Sequence, residues 1–162
     1  MAITRDDIMR WLEDVKDPEI PALSLVDLGV ITAVAIDGSQ VSVEMTPTFV
    51  GCPAMEIMKN EVETVLKKNG IAYPEVSVNF KQPWSSDRIS EKGKLALKKF
   101  GLAPPPPVGK IQVDLDILEH ATCPRCNGTN TEMKSPFGPT LCRSLHYCND
   151  CKEAFEQFKP LS

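Results

Sequence analysis

Thr46-Pro47-Thr48-Phe49-Val50-Gly51-Cys52-Pro53-Ala54 is the stretch on which the reading of the fold turns. It follows an alternating run, Val41-Ser42-Val43-Glu44-Met45, that reads as a strand. It leads into Ala54-Met55-Glu56-Ile57-Met58-Lys59, the start of a helical pattern. A single cysteine therefore sits where a strand becomes a helix. Gly51 permits unusual backbone angles, and Pro53 suits a first helical turn, where its missing N–H is not needed. A thiol at that position faces unpaired backbone N–H groups and the positive end of the helix dipole, which favour the thiolate. The competing reading of Cys52 is a buried structural cysteine.

Working outward, Thr4 with Asp7 resembles a capping box, and Ile8, Trp11, Leu12 and Val15 recur at helical spacing, so residues 5–16 are expected to be an amphipathic helix. Asp17-Pro18 ends it, because a residue before proline is pushed out of the helical region. Ser24 to Gly29 reads as a loop or short turn, followed by a strand over 30–36, the hairpin signal Asp37-Gly38-Ser39-Gln40, and a strand over 41–46. Met55, Met58, Val62, Val65 and Leu66 share one helix face, as core rather than as a sulfur ligand set, and Gly70 is the stop. A strand over 74–80 should lie parallel to the one before the helix, as a strand–helix–strand crossover requires. After Pro83-Trp84 a further helix is expected from 85–87 to about Phe100, with Trp84 plugging an edge of the core. The expected class is α+β: a small mixed three-stranded sheet with flanking helices, followed by a C-terminal zinc ribbon.

Ala103-Pro104-Pro105-Pro106-Pro107-Val108-Gly109 marks the expected boundary, since consecutive prolines favour an extended, semi-rigid spacer. The expected domains are thus 1–102, a linker over 103–110, and 111–162.

Beyond the linker the cysteines crowd together. Of six in the chain, at 52, 123, 126, 142, 148 and 151, five fall between 123 and 151. Cys123-Pro124-Arg125-Cys126 and Cys148-Asn149-Asp150-Cys151 each have the two-residue gap that lets both thiolates reach one ion from a tight turn. Two such pairs supply four sulfurs for tetrahedral Zn²⁺. A segment this small buries little core unaided, so a structural metal would supply the missing stability. An Fe–S centre or a redox dithiol are the alternatives for the same four thiols. Cys142 is a fifth sulfur, read first as a small buried side chain, with a substitute ligand or a reactive thiol as the alternatives. His146 is redundant as a ligand, and His120 has no partner at a recognisable spacing.

Composition narrows the function. An apolar fraction of 42% supports a core, and a net charge of -4 with no basic, aromatic-studded strand disfavours nucleic acid. The first residues hold no signal-like apolar run and no stretch approaches a membrane span, so the expectation is a cytoplasmic protein. Gly-rich phosphate loops, H-E-x-x-H, G-x-S-x-G and Glu-x-x-His are all missing from the sequence, which leaves hydrolytic or oxidative catalysis by this chain unsupported.

Asp17-Pro18-Glu19, the Leu25-Val26-Asp27-Leu28-Gly29 run, Thr46 and Thr48 ahead of Gly51-Cys52-Pro53, and Pro83-Trp84 resemble the small α/β domain of SufT-type iron–sulfur assembly factors. The segment from Trp84 to Pro104, the proline run and the cysteine module look more specifically like the PaaD (PaaJ) family, accessory proteins of the bacterial phenylacetyl-CoA oxygenase (epoxidase). That resemblance covers essentially the whole chain. It implies a maturation role in aerobic phenylacetate breakdown, assisting an Fe–S or di-iron centre. Cys52 would be a transient ligand for iron or a cluster, with Thr48 and Asp17 as working residues and Thr46 and Glu19 as neighbours. It implies structural Zn²⁺ on Cys123, Cys126, Cys148 and Cys151, and partners among the oxygenase components, above all the Fe–S reductase or the di-iron subunit. A homodimer is a further expectation. The loop departs from the general assembly-factor pattern, with Phe49-Val50 where a Thr-Pro pair is common. The alternative function is a non-catalytic subunit bridging oxygenase components.

Overall fold

The computed structural model describes residues 2–48, 53–108 and 121–160. Cys52 and His120 lie outside the described residues. Contacts divide the chain into two compact units, Met1–Trp84 and Ser85–Ser162.

In the first unit, α1 (Arg5–Leu12) opens on the expected capping box, with Thr4 and Asp7 satisfying each other's backbone N–H. It is shorter than the expected helix over 5–16. Asp14 and Val15 continue only as tight turns, bonding to Trp11 and Leu12, because Lys16 is drawn into an extended bridge with Ser24. One helical turn, α2 (Leu25–Leu28), is capped by Ser24 and closed by Gly29 at φ 76°. The hairpin of β1 (Ile31–Asp37) and β2 (Gln40–Met45) turns at Gly38, φ 60°. The crossover helix α3 (Met55–Lys68) returns to β3 (Glu75–Val78), which pairs parallel with β2. The three-stranded sheet is therefore mixed, in the order β1-β2-β3, as its sequence pattern requires.

Period-2 alternation along β2 buries Val41, Val43 and Met45, and period-3.6 spacing along α3 buries Met55, Met58, Val62 and Leu66. Ile8 and Leu12 of α1 are fully buried as well. Trp84 is 3% exposed, and its indole N–H donates to the Leu28 carbonyl at 3.0 Å. The ring thus packs in the core while its polar edge is satisfied.

The second unit starts differently from expectation. In place of one helix from 85–87 to Phe100 there is a single 3₁₀ turn, Ser86–Arg88, and then α4 (Glu91–Phe100). Ile89 between them is extended (ψ 125°) and buried, and Ser90 caps α4 by accepting from the Gly93 N–H at 2.9 Å. A real N-cap at Ser90 outcompeted the Ser85-Ser86-Asp87 signal as the start of the helix. Gly101, at φ 97°, ends it.

Leu102–Ala103 then forms β4, the edge of a four-stranded sheet ordered β4-β7-β6-β5. Its other strands are β5 (Thr131–Ser135), β6 (Arg143–Cys148) and β7 (Ala154–Phe158). The described part of the proline run is tied at its far end, where the Val108 N–H donates to Asp87 Oδ1 at 2.8 Å, and Pro105 and Val108 are buried. The contact boundary falls at Trp84/Ser85, ahead of that run.

Candidate metal centre and cysteine loop

The two Cys-x-x-Cys segments fold into the same knuckle. In the first, the Cys123 N–H donates to the Gly128 carbonyl at 2.9 Å and the Asn127 N–H to the Cys123 carbonyl at 3.0 Å. In the second, Cys148 N–H to Glu153 and Lys152 N–H to Cys148 repeat those bonds at 2.9 and 3.0 Å. Each knuckle needs a left-handed residue directly after its second cysteine, and Asn127 (φ 60°) and Lys152 (φ 62°) occupy those places. Backbone N–H groups are thereby turned toward the sulfurs, as with Gly128 N–H to Cys126 Sγ at 3.3 Å.

The four sulfurs all lie within 4.8 Å of one another. Cys123 and Cys151 are 3.8 Å apart, and Cys126 and Cys148 are 3.6 Å apart. A tetrahedron with metal–sulfur bonds of about 2.3 Å has edges of about 3.8 Å, so this donor set fits a zinc-sized thiophilic ion. The thiols are not equivalent as they stand. The Cys151 backbone N–H, helped by that of Asp150, draws Cys148 down to about 7 against the cost of its burial. Burial pushes Cys151 up to about 12. A cation is what would bring all four to the thiolate together.

Around the centre, Ala103, Ala121 and Phe155 pack with Cys123 and Cys148. Cys142 is 5% exposed and 3.1 Å from the Thr140 hydroxyl, in line with its reading as a buried side chain. His146 is fully buried, 2.7 Å from Ser144 Oγ, and stacked on Phe155 with centroids 5.4 Å apart. It stands apart from the four-sulfur group, and burial lowers its pKa to about 4.

The cysteine loop of the first unit is bounded by Thr48 and Pro53. Thr48 is half-buried, and Pro53 is exposed. The helix after it, α3, has no side-chain cap at Ala54. Asp17 is half-buried, with Oδ1 accepting from the Glu19 N–H at 2.7 Å and the Ile20 N–H at 3.1 Å. That is the geometry of a loop-closing aspartate. Thr46 is 2% exposed and belongs to a polar chain that the sequence pattern did not single out. Its hydroxyl lies 3.4 Å from that of Thr32, which donates to Glu44 Oε1 at 3.1 Å. Asn79 Nδ2 donates to the same carboxylate oxygen at 3.2 Å. The β2–β3 register places Glu44 opposite Ser77, two residues before Asn79, and the 35-residue gap between donor and acceptor hides the pairing from sequence.

Two family models cover most of the chain: residues 5–78 match "Iron-sulfur cluster assembly protein" and residues 112–159 match "PaaD zinc beta ribbon domain". The class is therefore an iron–sulfur assembly domain joined to a zinc ribbon with a four-cysteine metal-binding site. A protein of Escherichia coli K12, named as a subunit of a "Putative 1,2-phenylacetyl-CoA epoxidase", is 31% identical over 153 residues, spanning 94% of this chain and 91% of that one. The chain belongs to the PaaD family. An Fe-S protein maturation auxiliary factor of Porphyromonas gingivalis is 36% identical over 97 residues, covering 58% of this chain and 90% of its own. Among solved structures, a domain of unknown function from Bacillus anthracis superposes with a TM-score of 0.54 at 34% identity, covering 57% of this chain and 89% of that one. Among the described residues, no helix is long and apolar enough to cross a membrane.

Proposed function

We propose that this protein is an accessory maturation factor of a phenylacetyl-CoA epoxidase (oxygenase) complex in aerobic phenylacetate catabolism, and that it assists assembly of an Fe–S or di-iron centre through Cys52. The observation that carries this reading is the match to the Escherichia coli epoxidase protein over 94% of the chain, in which an assembly-type domain precedes the ribbon. The likeness of residues 5–78 to iron–sulfur assembly proteins supports the kind of cargo.

In this reading the chain has two sulfur sites with separate duties. Cys52 holds iron or a cluster as cargo for a short time, because in the sequence it stands three residues ahead of α3, and a helix start favours a nearby thiolate. Thr48 borders that loop and Asp17 braces the backbone of the 17–20 turn, with Thr46 and Glu19 beside them. Cys123, Cys126, Cys148 and Cys151 hold Zn²⁺. When bound, that ion supplies a crosslink between two knuckles and takes no part in redox chemistry. The clients are the Fe–S reductase or the di-iron subunit. The partition into residues 1–102, a joining segment 103–110 and a ribbon over 111–162 belongs to the same proposal.

The test is Cys52→Ser in a host that lacks the natural protein. Epoxidase activity should fall to the level without the protein, while the variant accumulates normally and keeps its zinc. Full activity would overturn the maturation reading and leave a bridging subunit as the better one, for which near-stoichiometric co-purification with the oxygenase is the diagnostic.

A further inference from the structure

The four-cysteine centre is lopsided. Cys123 and Cys148 are fully buried, Cys151 is half-buried, and Cys126 is exposed. A carboxylate stands beside that outer sulfur. A Cβ added at Gly128 would lie 2.6 Å from Asp150 Oδ2 and 3.1 Å from Cys126 Sγ, so oxygen and sulfur border the same small space that the glycine leaves open. Asp150 is itself exposed, and its other oxygen accepts from Asn130 Nδ2 at 3.4 Å. The first knuckle thus donates the outer sulfur, and the second brings an oxygen donor to it.

We propose that Cys126 is the sulfur at which this centre opens, and that Asp150 is the oxygen donor that takes its place while a metal ion enters or leaves. The inference rests on reading the four cysteines as a metal centre. Two physical effects support it. Four thiolates on a dication leave an excess of about two negative charges, and a further carboxylate beside one of them weakens that sulfur's hold most. Water and competing ligands also reach Cys126 directly, whereas Cys123 and Cys148 would have to be uncovered first. A carboxylate oxygen is an ordinary zinc ligand, so a departing Cys126 need not leave the ion three-coordinate. The ribbon is then an exchangeable metal site, opened from one side, rather than a sealed staple.

The experiment uses the full-length, zinc-loaded chain. Sub-stoichiometric N-ethylmaleimide is added beside a colorimetric zinc chelator, and the modified cysteines are assigned by peptide mass spectrometry. Among the four, Cys126 should react at least tenfold faster than Cys123 or Cys148, with zinc release tracking its modification. Asp150→Asn should bind one zinc per chain and release it to the chelator three- to tenfold more slowly. Cys126→Ala should still hold one metal, and adding Asp150→Asn to it should abolish that binding. First modification at a buried cysteine, or wild-type release from Asp150→Asn, would overturn the proposal. A chain that takes up no metal at all would overturn the metal-centre reading beneath it, and that outcome is separately visible as zero zinc before any reagent is added.

Discussion

Lys152 carries a backbone cost on behalf of the centre. Its φ of 62° places a side-chain-bearing residue in the left-handed region, which costs about 1–2 kcal/mol and which glycine adopts freely. Lys152→Gly should stabilise the zinc-loaded protein by about 0.5–1 kcal/mol in chemical denaturation, the remainder being lost to the freer unfolded chain. No gain, or a loss, would mean that the lysine contributes something the knuckle geometry does not reveal. His146 makes a different kind of prediction. Burial holds its pKa near 4 in the folded protein, against 6.5 for the exposed group. As pH falls, the unfolded chain takes up the proton first, so the stability tied to a neutral His146 is complete above about 6.5 and drains away between 6.5 and 4. Wild type should lose on the order of 1 kcal/mol more than His146→Phe between pH 7 and pH 5. Parallel pH profiles would show that the imidazole is not protected from protonation by the fold.

Strands and helices whose signal is a repeated spacing were legible from sequence: the capped α1, the α3 face of Met55, Met58, Val62 and Leu66, and the β1–β2 hairpin with parallel β3. What escaped was either too short to repeat or made by register. Two residues, Leu102 and Ala103, cannot display a period, and they fall astride the expected 102/103 boundary, Ala103 beside four prolines, although both pair with β7. The break at Ile89 escaped because Ser85 to Asp87 supply the same starting signal as the true cap, Ser90. The Thr32–Glu44–Asn79 cluster escaped because only strand register joins those positions. It is testable where it lies, on β1, β2 and the end of β3. Glu44→Ala removes the carboxylate acceptor of the Asn79 amide and leaves the Thr32 hydroxyl only the Glu44 carbonyl, 3.3 Å away, and should cost about 1 kcal/mol. Glu44→Gln keeps an acceptor oxygen and should cost less than half as much. Equal losses for the two variants would place the effect in packing instead of hydrogen bonding.

The protein as a unit combines a lone cysteine in a strand-to-helix loop of the sequence, Cys52, with four cysteines set against each other. The second arrangement was readable almost to the atom, because two Cys-x-x-Cys pairs fix ligand number and identity in the sequence itself. The structure adds the S···S distances and the exposure of Cys126. The residues expected to work with Cys52 were less readable, since Asp17, Thr46 and Thr48 are common residue types whose roles depend on tertiary placement. Asp17 is seen bracing its own turn, and Thr46 ends a hydrogen-bonded chain that leads back to Glu44. The proposed separation of duties between Cys52 and the four-cysteine centre is most directly tested by anaerobic purification of wild type and Cys52→Ser, with iron and zinc counted per chain and cluster transfer to the apo reductase assayed. The expected result is one zinc in both proteins, with iron or transfer competence in wild type alone. Equal iron and equal transfer by the two proteins would contradict it.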